Sequence, residues 1–490
     1  MAKTLHSAQS PSLQLERAYQ HVNDFWLPVN PQLLDHIHSN IKNGNYAEDC
    51  GELVKDLKND FALFTYCLKQ LAVVLQEEGV LAPKNVSPVD LLRWSGLTRL
   101  KKILEVKERD VSKHTLSNIN NLQVYRLQEA MISASTAQMM SEFCGVDPEL
   151  GFSAALLRQL GYTLICWNYP RIYQRAVSSL KVGTSLDLEI TQLLGFSPQL
   201  LAMTIIRRWG IISDVCISLD SHSAEADLEV RQEAEAAGRT LEKICKVGEA
   251  LARANQPEVY PEAQNDWEVA RQEIQKALGE KAIEVIGEKI RENCRNYIKL
   301  APDIFSAGTL LDPETRLANY WESYAHDKNC HIVHCRKELQ QSFNEFYQRL
   351  ETAGISEAQV RKLVLEIVPM AGFSGGCIYT IDPGLMLLVP QTIMGKLSVR
   401  DKAKSLNYSP YATGYDIVQL AYHSAEPIVH ENILVCEKLF TCCAGVIGRS
   451  QRIGVLYLEM LQQVFEAVEK ERLAHFRASI QALNDCLNLR

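Results

Sequence analysis

The stretch Asp147-Pro148-Glu-Leu-Gly-Phe-Ser-Ala-Ala155-Leu-Leu-Arg158-Gln159-Leu-Gly161-Tyr-Thr-Leu-Ile-Cys166-Trp-Asn168 decides how the first half of the chain is read. Asp before Pro is a helix start signal, because proline suits the first helical position and an acidic side chain can cap the free N–H groups. The apolar residues that follow recur at three- and four-residue steps, so the spacing predicts helix over Pro148 to Asn168. The same period extends in both directions, from about Leu13 to Leu300, with breaks at Pro or Gly. Leu53, Leu57, Phe61, Phe64, Leu68, Leu71, Val74 and Leu75 form one core stripe on a helix pair broken near Asn59-Asp60. Further helices are expected over Pro88 to Trp94, over Leu127 to Phe143, and over Ser197 to Arg208 with Ser197 as N-cap.

A length of 490 residues allows about two to four domains at ~100–200 residues each. With 47% apolar and 22% charged residues the composition is that of a folded globular chain. The 51 Lys and Arg against 59 Asp and Glu leave a net charge of −8, which opposes salt-driven capture of nucleic acid or of an anionic membrane. No apolar run reaches the roughly 20 residues of a membrane span, and the first residues lack the apolar core of a secretory signal. A cytoplasmic location is expected. The 14 Cys are scattered through apolar or helical segments and read as buried thiols, not a disulfide framework.

Ser221 to Arg239 is rich in Ala and Glu and reads as a solvated helix or linker. Gln256 to Asn265, with two prolines, reads as a loop, and Trp267 to Leu300 as amphipathic helix. Pro313 to Gln359 holds long polar helices that suit a stalk. The expected division is therefore a helical domain over 13–300, a helical connector over 301–359 and a third part over 360–490. In that part Cys377 to Asp382, Pro383-Gly384 and Leu385 to Val389 predict a β-hairpin. Leu439 to Ile447 and Ile453 to Met460 flank the polar loop Gly448 to Arg452 as a second hairpin, and a last helix covers Leu461 to Leu489.

The N-terminal order of signals resembles the HDOD domain, a regulatory relative of HD-type metal-dependent phosphohydrolases in bacterial signalling proteins. Leu27-Pro28 with Pro31 and then Leu53 to Leu63 is similar to its opening motif and following helix. Ser87 to Leu97 is similar to its next helix, Ala155 to Gly161 stands in place of the HD signature, and Glu189, Leu194-Gly195, Trp209 and Ile211 match its later stretch. The resemblance implies an all-helical bundle. It also places Arg158-Gln159 where the His-Asp pair belongs, Ser133 near the upstream His position and Pro198 at the next ligand position, with only His222 left near the usual His pair. A guanidinium has no lone pair for a metal, and Gln carries no charge. The domain is therefore expected to be a pseudo-hydrolase without metal or cofactor. Arg158 itself is expected to be exposed or salt-bridged, or else to hold an anion or a partner.

The segment from about Val360 to Leu473 resembles a GAF domain, on Gly375 to Asp382 as first strand, Ala425 to Val429, and Arg452 to Glu459 as last strand. This implies an α/β domain with an antiparallel sheet, acting in small-molecule sensing or dimerisation. Tyr379, Tyr415, Tyr422 and His423 are its candidate pocket residues, with packing between sheet and helix as the alternative. The signature of cyclic-nucleotide-binding members is absent. Cys330-His331 and His334-Cys335 set two Cys–His pairs at i, i+4 spacing, a zinc-like arrangement if the segment is helical. Otherwise these are reduced thiols in a linker. Vicinal Cys442 and Cys443 in a strand point to opposite faces and stay reduced.

Together these readings predict a non-enzymatic signalling protein, with a homodimer contact on the last helix, a downstream signalling protein as partner, and a possible small-molecule ligand in the GAF-like part. No nucleic acid and no membrane enter. The rival reading is a divergent metal-dependent phosphohydrolase of a nucleotide or cyclic dinucleotide, built on His222.

Overall fold

The computed structural model describes residues 11–46, 50–83, 86–210, 228–300, 313–399, 403–409, 416–448, 451–462 and 469–487. The chain divides into two units, Met1–Leu317 and Ala318–Arg490. His222 and Tyr415 lie outside the described residues, as does Cys216.

The first unit is helical: α1 (Pro11–Asp24), α2 (Pro31–Asn43), α3 (Cys50–Lys58), α4 (Phe61–Glu78), α5 (Pro88–Leu104), α6 (Glu108–Val111), α7 (Asn121–Phe143), α8 (Pro148–Arg158), α9 (Leu160–Asn168), α10 (Pro170–Ser179), α11 (Leu186–Leu194), α12 (Pro198–Arg208), α13 (Leu228–Ala254), α14 (Ala263–Leu278) and α15 (Ala282–Leu300). The caps are those the sequence encodes. Asp60 accepts the Leu63 N–H, Asp147 those of Glu149 and Leu150, and Ser197 that of Leu200. The predicted single helix over Pro148 to Asn168 is in fact α8 and α9, turned at Gln159.

α7 is the central helix and packs against α8 and α13. It is buried nearly all round, from Arg126 to Ala137. Small residues set the spacing: a Cβ on Gly248 of α13 would stand 2.6 Å from the Ser133 carbonyl oxygen of α7. A Cβ on Gly161 of α9 would stand 1.8 Å from the Pro198 carbonyl oxygen at the start of α12. Glycine is required at both contacts because the neighbour is backbone and cannot step aside.

The boundary of the second unit falls within α16 (Pro313–Lys328). After α17 (Lys337–Ala353) come α18 (Glu357–Lys362), a π turn Leu363–Ile367 and a last helical turn Val368–Met370. Then follow β1 (Gly375–Asp382), β2 (Leu387–Gly395), β3 (Leu406–Asn407), α19 (Ile417–His423), β4 (Ile428–Val435), β5 (Lys438–Ile447), β6 (Gly454–Leu461) and α20 (Glu469–Cys486). The antiparallel sheet has the order β3-β2-β1-β6-β5-β4, and both predicted hairpins are present as β1–β2 and β5–β6.

The stalk expected over 313–359 is corrected here. Phe343, Phe346 and Tyr347 of α17 are buried in the core that α20 and the inner sheet face share, so this helix belongs to the second unit. α20 also faces inward: Phe476, Ile480 and Leu483 pack in the same core. Cys443 joins that core and Cys442 the core on the opposite face, as strand alternation requires.

Candidate functional site

Arg158 and Gln159, which the sequence resemblance aligns with the HD signature, are the last residue of α8 and the turn after it. Arg158 donates through Nε to Glu249 Oε1 at 2.6 Å and through Nη2 to Oε2 at 3.3 Å. Both side chains are largely buried, so Arg158 is the salt-bridged residue, not an exposed one. Burial works against the Arg158 charge, but the Glu249 carboxylate outweighs it and holds the guanidinium above its ordinary pKa.

Gln159 is buried and accepts a hydrogen bond at 3.0 Å on Oε1 from Arg126 Nη2. Arg126 also donates to the Glu129 carboxylate one turn along α7, and the Tyr260 hydroxyl donates to Glu129 Oε2 at 3.0 Å. Burial pushes the Glu129 carboxyl up, while Arg126 opposes the rise. A third pair sits nearby, Arg253 to Asp266 at 2.9 and 2.6 Å. Arg158–Glu249 thus ties α8 to α13 and Arg253–Asp266 ties α13 to α14, while Arg126–Glu129 lies within α7 and meets its neighbours through Gln159 and Tyr260.

A cavity of about 270 Å³ opens beside this cluster, lined by Arg126, Glu129, Gln159 and Glu249, by Lys181 and Thr184 to Asp187 at the start of α11, and by Tyr260 to Glu262. Tyr162 also lines it, donating from its hydroxyl to Asp187 Oδ1 at 3.1 Å. Burial raises the Asp187 carboxyl above its usual range, and the Tyr162 hydrogen bond opposes this.

These residues do not fit the divalent metal of an HD hydrolase. Such an ion needs imidazole or free carboxylate donors. Here Glu129 and Glu249 are bound to guanidiniums, and a dication set between Arg126 and Arg158 would face two like charges. Among the described residues no three His, Cys, Asp or Glu are grouped so as to hold a metal.

Of the other residues read from the sequence, Ser133 is fully buried, its backbone against Gly248, the neighbour of Glu249. Pro198 starts α12 with its carbonyl against Gly161. The structure therefore gathers Ser133, Arg158 and Gln159 around one cluster, while Pro198 serves helix packing. The sequence reading missed Arg126, Glu129 and Glu249. Their signal is a charge inside an apolar run, since α7 carries Arg126 and Glu129 among buried neighbours.

In the second unit Tyr379 is fully buried between the sheet and α19, beside Tyr457, Cys377, Cys442 and Val455. Tyr422 is half-buried at the rim, 4.8 Å from the Tyr408 ring and under the Arg452 guanidinium. His423 is exposed, its Nε2 2.9 Å from the Tyr408 carbonyl oxygen. Tyr379 thus lies in the core of that face, Tyr422 packs at its edge with its ring 5.1 Å from that of His423, and large side chains fill the face. Buried Glu459 accepts the Tyr457 hydroxyl at 2.9 Å and the Ser398 and Val399 N–H groups at 2.6 and 3.0 Å.

The zinc-like spacing fails because its segment is not an α-helix. Asn329 ends α16 by accepting the His331 N–H, and a 3-10 turn Ile332–His334 follows. Cys330 is exposed, Cys335 is buried, and the Cys335 thiol approaches the His331 carbonyl, not its ring.

No protein-family model matches the chain, and no curated protein matches it. Among solved structures, the MmoQ response regulator from Methylococcus capsulatus str. Bath is similar over 49% of this chain and 93% of its own, at 18% identity and a TM-score of 0.36. The "Putative phosphohydrolase from Shewanella amazonensis SB2B" is similar over 62% of this chain and 99% of its own, at 15% identity and a TM-score of 0.29. Neither score is high enough to show a shared fold. No helix of the described residues is long and apolar enough to cross a membrane.

Proposed function

We propose that the chain is a non-enzymatic regulatory protein of a signalling pathway, with an HDOD-like pseudo-hydrolase unit that binds a downstream signalling protein and a GAF-like second unit. The observation that carries this reading is the Arg158–Glu249 pair. At the position where an HD hydrolase offers metal ligands, this chain sets a guanidinium and ties it to the nearest carboxylate. Phosphate-ester hydrolysis by such enzymes depends on the metal to neutralise charge and to lower the pKa of water, and nothing in the cluster supplies either role.

For the second unit the filling of the sheet–helix face by Tyr379 and Tyr457 favours a structural or dimerisation module over a sensor. The test is hydrolysis of phosphomonoester, phosphodiester and cyclic-dinucleotide substrates with added Mn²⁺ or Mg²⁺, by protein purified without chelator. No metal-dependent turnover is expected. Turnover that vanishes in His222→Ala would establish the phosphohydrolase instead.

A further inference from the structure

The second unit holds a larger cavity, of about 610 Å³, within the ~300–1,000 Å³ of small-molecule sites. It lies between α20, the end of β5, the start of β6 and the segment that leads into β4. α20 covers the sheet face opposite Tyr379, so this is not the face that Tyr379 and Tyr457 fill. The charge around the cavity is one-sided. Its titratable lining residues are Arg452, Arg477, His331 and Glu426. Arg477 Nη2 donates to Glu426 Oε2 at 3.0 Å, but Glu426 is 76% exposed, so water competes for the pair and it is weak. Arg452 has no carboxylate partner among the described residues: its Nη1 donates to the Tyr422 carbonyl, and the guanidinium lies over the Tyr422 ring. Asp485 does not line the cavity, and takes the Tyr347 hydroxyl at 2.7 Å and the Gln481 amide at 3.0 Å. Two guanidiniums therefore face one screened carboxylate, before any charge on His331.

A neutral donor on the α20 wall is an independent observation. Asn484 lines the cavity and is 4% exposed. Its Oδ1 accepts the Gly448 N–H at 3.0 Å, which fixes the direction of the amide. Its Nδ2 group has no hydrogen-bond partner among the described residues and is not sealed from solvent. An acceptor oxygen on a bound molecule completes such a donor. Pro427, Val446 and Ile480 add apolar wall. The turn that carries His331 is held in place by Asn329, which accepts the His331 N–H and donates to the Ala478 carbonyl of α20. The Cys330 to Cys335 segment, which fails as a zinc site, thus supplies part of this cavity.

We propose that this cavity binds a small organic oxyanion, a carboxylate or phosphate monoester with an apolar body, its charged head on Arg452 and Arg477 and an acceptor oxygen on Asn484 Nδ2. A guanidinium and an oxyanion make the stronger, charge-assisted kind of hydrogen bond. The bound molecule bridges α20, through Arg477 and Asn484, to the start of β6, through Arg452. This gives the second unit a small-molecule input on the α20 side of its sheet, and it does not depend on whether the helical unit hydrolyses phosphate esters.

The test is a ligand-observed NMR titration of the full chain with phenyl phosphate and with phenylacetate, against neutral phenylacetamide and cationic phenethylamine, repeated on Arg452→Gln and Asn484→Asp. Arg452 is exposed, so its variant keeps the fold. Asn484→Asp keeps an acceptor for the Gly448 N–H while setting a carboxylate oxygen where Nδ2 stood. Saturable binding of phenyl phosphate, phenylacetate or both is expected, at least tenfold weaker in each variant, with the neutral and cationic probes inert. The tighter of the two anions identifies the head group. No saturable binding of either anion at millimolar concentration would overturn the site. So would an affinity unchanged by Arg452→Gln, or phenylacetamide or phenethylamine binding as tightly as the anions. These outcomes stand apart from the hydrolysis assay, since oxyanion binding can fail while the protein stays inactive on phosphate esters, and turnover would leave this site untouched.

Discussion

At the scale of single residues the account rests on buried charges that are held by named partners. Removing Glu249 leaves the Arg158 guanidinium buried and uncompensated, so Glu249→Leu is expected to cost about 3 kcal/mol or more in denaturant unfolding. Arg158→Met combined with Glu249→Leu is expected to recover most of that loss, because two apolar groups need no pairing. A double variant as unstable as the single one would show that the pair is not what holds α8 to α13. His475 gives a pH-dependent case in the second unit. Its ring is fully buried, with Nδ1 3.2 Å from the Ala371 carbonyl oxygen and Nε2 accepting the Arg336 N–H at 3.5 Å, an arrangement only the neutral ring satisfies. Burial depresses its pKa. The Ala371 carbonyl opposes this, the Arg336 charge adds to it, and Glu471 works weakly the other way. The contribution to stability is therefore complete above the ordinary value of ~6.5 and is lost as pH falls through that value toward the lower folded one, at no more than about 1.4 kcal/mol per pH unit. Thermal unfolding followed from pH ~7.5 to ~5 should show this fall, and His475→Gln should flatten it. An unchanged slope in the variant would assign the pH dependence elsewhere.

At the scale of elements the close approach of α9 and α12 through Gly161 is the feature most sensitive to one atom. Gly161→Ala forces a methyl into the Pro198 carbonyl and is expected to destabilise by about 1–3 kcal/mol. Gly287→Ala in α15, where only the end of the Arg291 side chain lies within reach, is expected to stabilise by about 0.5–1 kcal/mol. Equal effects of the two in chemical denaturation would contradict the packing described. The same elements show what a sequence makes legible. Pro383-Gly384 between two apolar runs gave the β1–β2 hairpin because the turn chemistry is local, and Asp382 Oδ1 indeed accepts the Gly384 and Leu385 N–H groups. The break between α8 and α9 was not legible, since Gln159 keeps near-helical dihedrals (φ −80°, ψ −11°) and neither Pro nor Gly marks it. α17 was misread as a polar stalk because its apolar stripe of Phe343, Phe346 and Tyr347 is narrow among polar neighbours. The Cys330 to Cys335 spacing misled because Asn329, bound to the Tyr347 hydroxyl and the Ala478 carbonyl, stops the helix by contacts distant in sequence.

At the scale of the whole molecule, two units with separate cores carry different signals. In the first, the candidate site was half legible: Arg158 and Gln159 were singled out by a sequence resemblance, whereas their partners Glu249 and Arg126 lie 91 and 33 residues away in sequence and only folding brings them together. In the second, the two hairpins were legible from local pattern, but the pairing of β1 with β6 and the filling of the sheet–helix face by Tyr379 and Tyr457 depend on contacts that no local pattern encodes. The central proposal is that the helical unit holds paired charges at Arg158 and Arg126 and binds no catalytic metal there. Calorimetric titration of the chelator-treated full chain with Mn²⁺ tests it most directly. The account predicts no stoichiometric binding in the wild type or in Arg158→Met. One tightly bound Mn²⁺ per chain, weakened by Glu249→Gln or by His222→Ala, would contradict it.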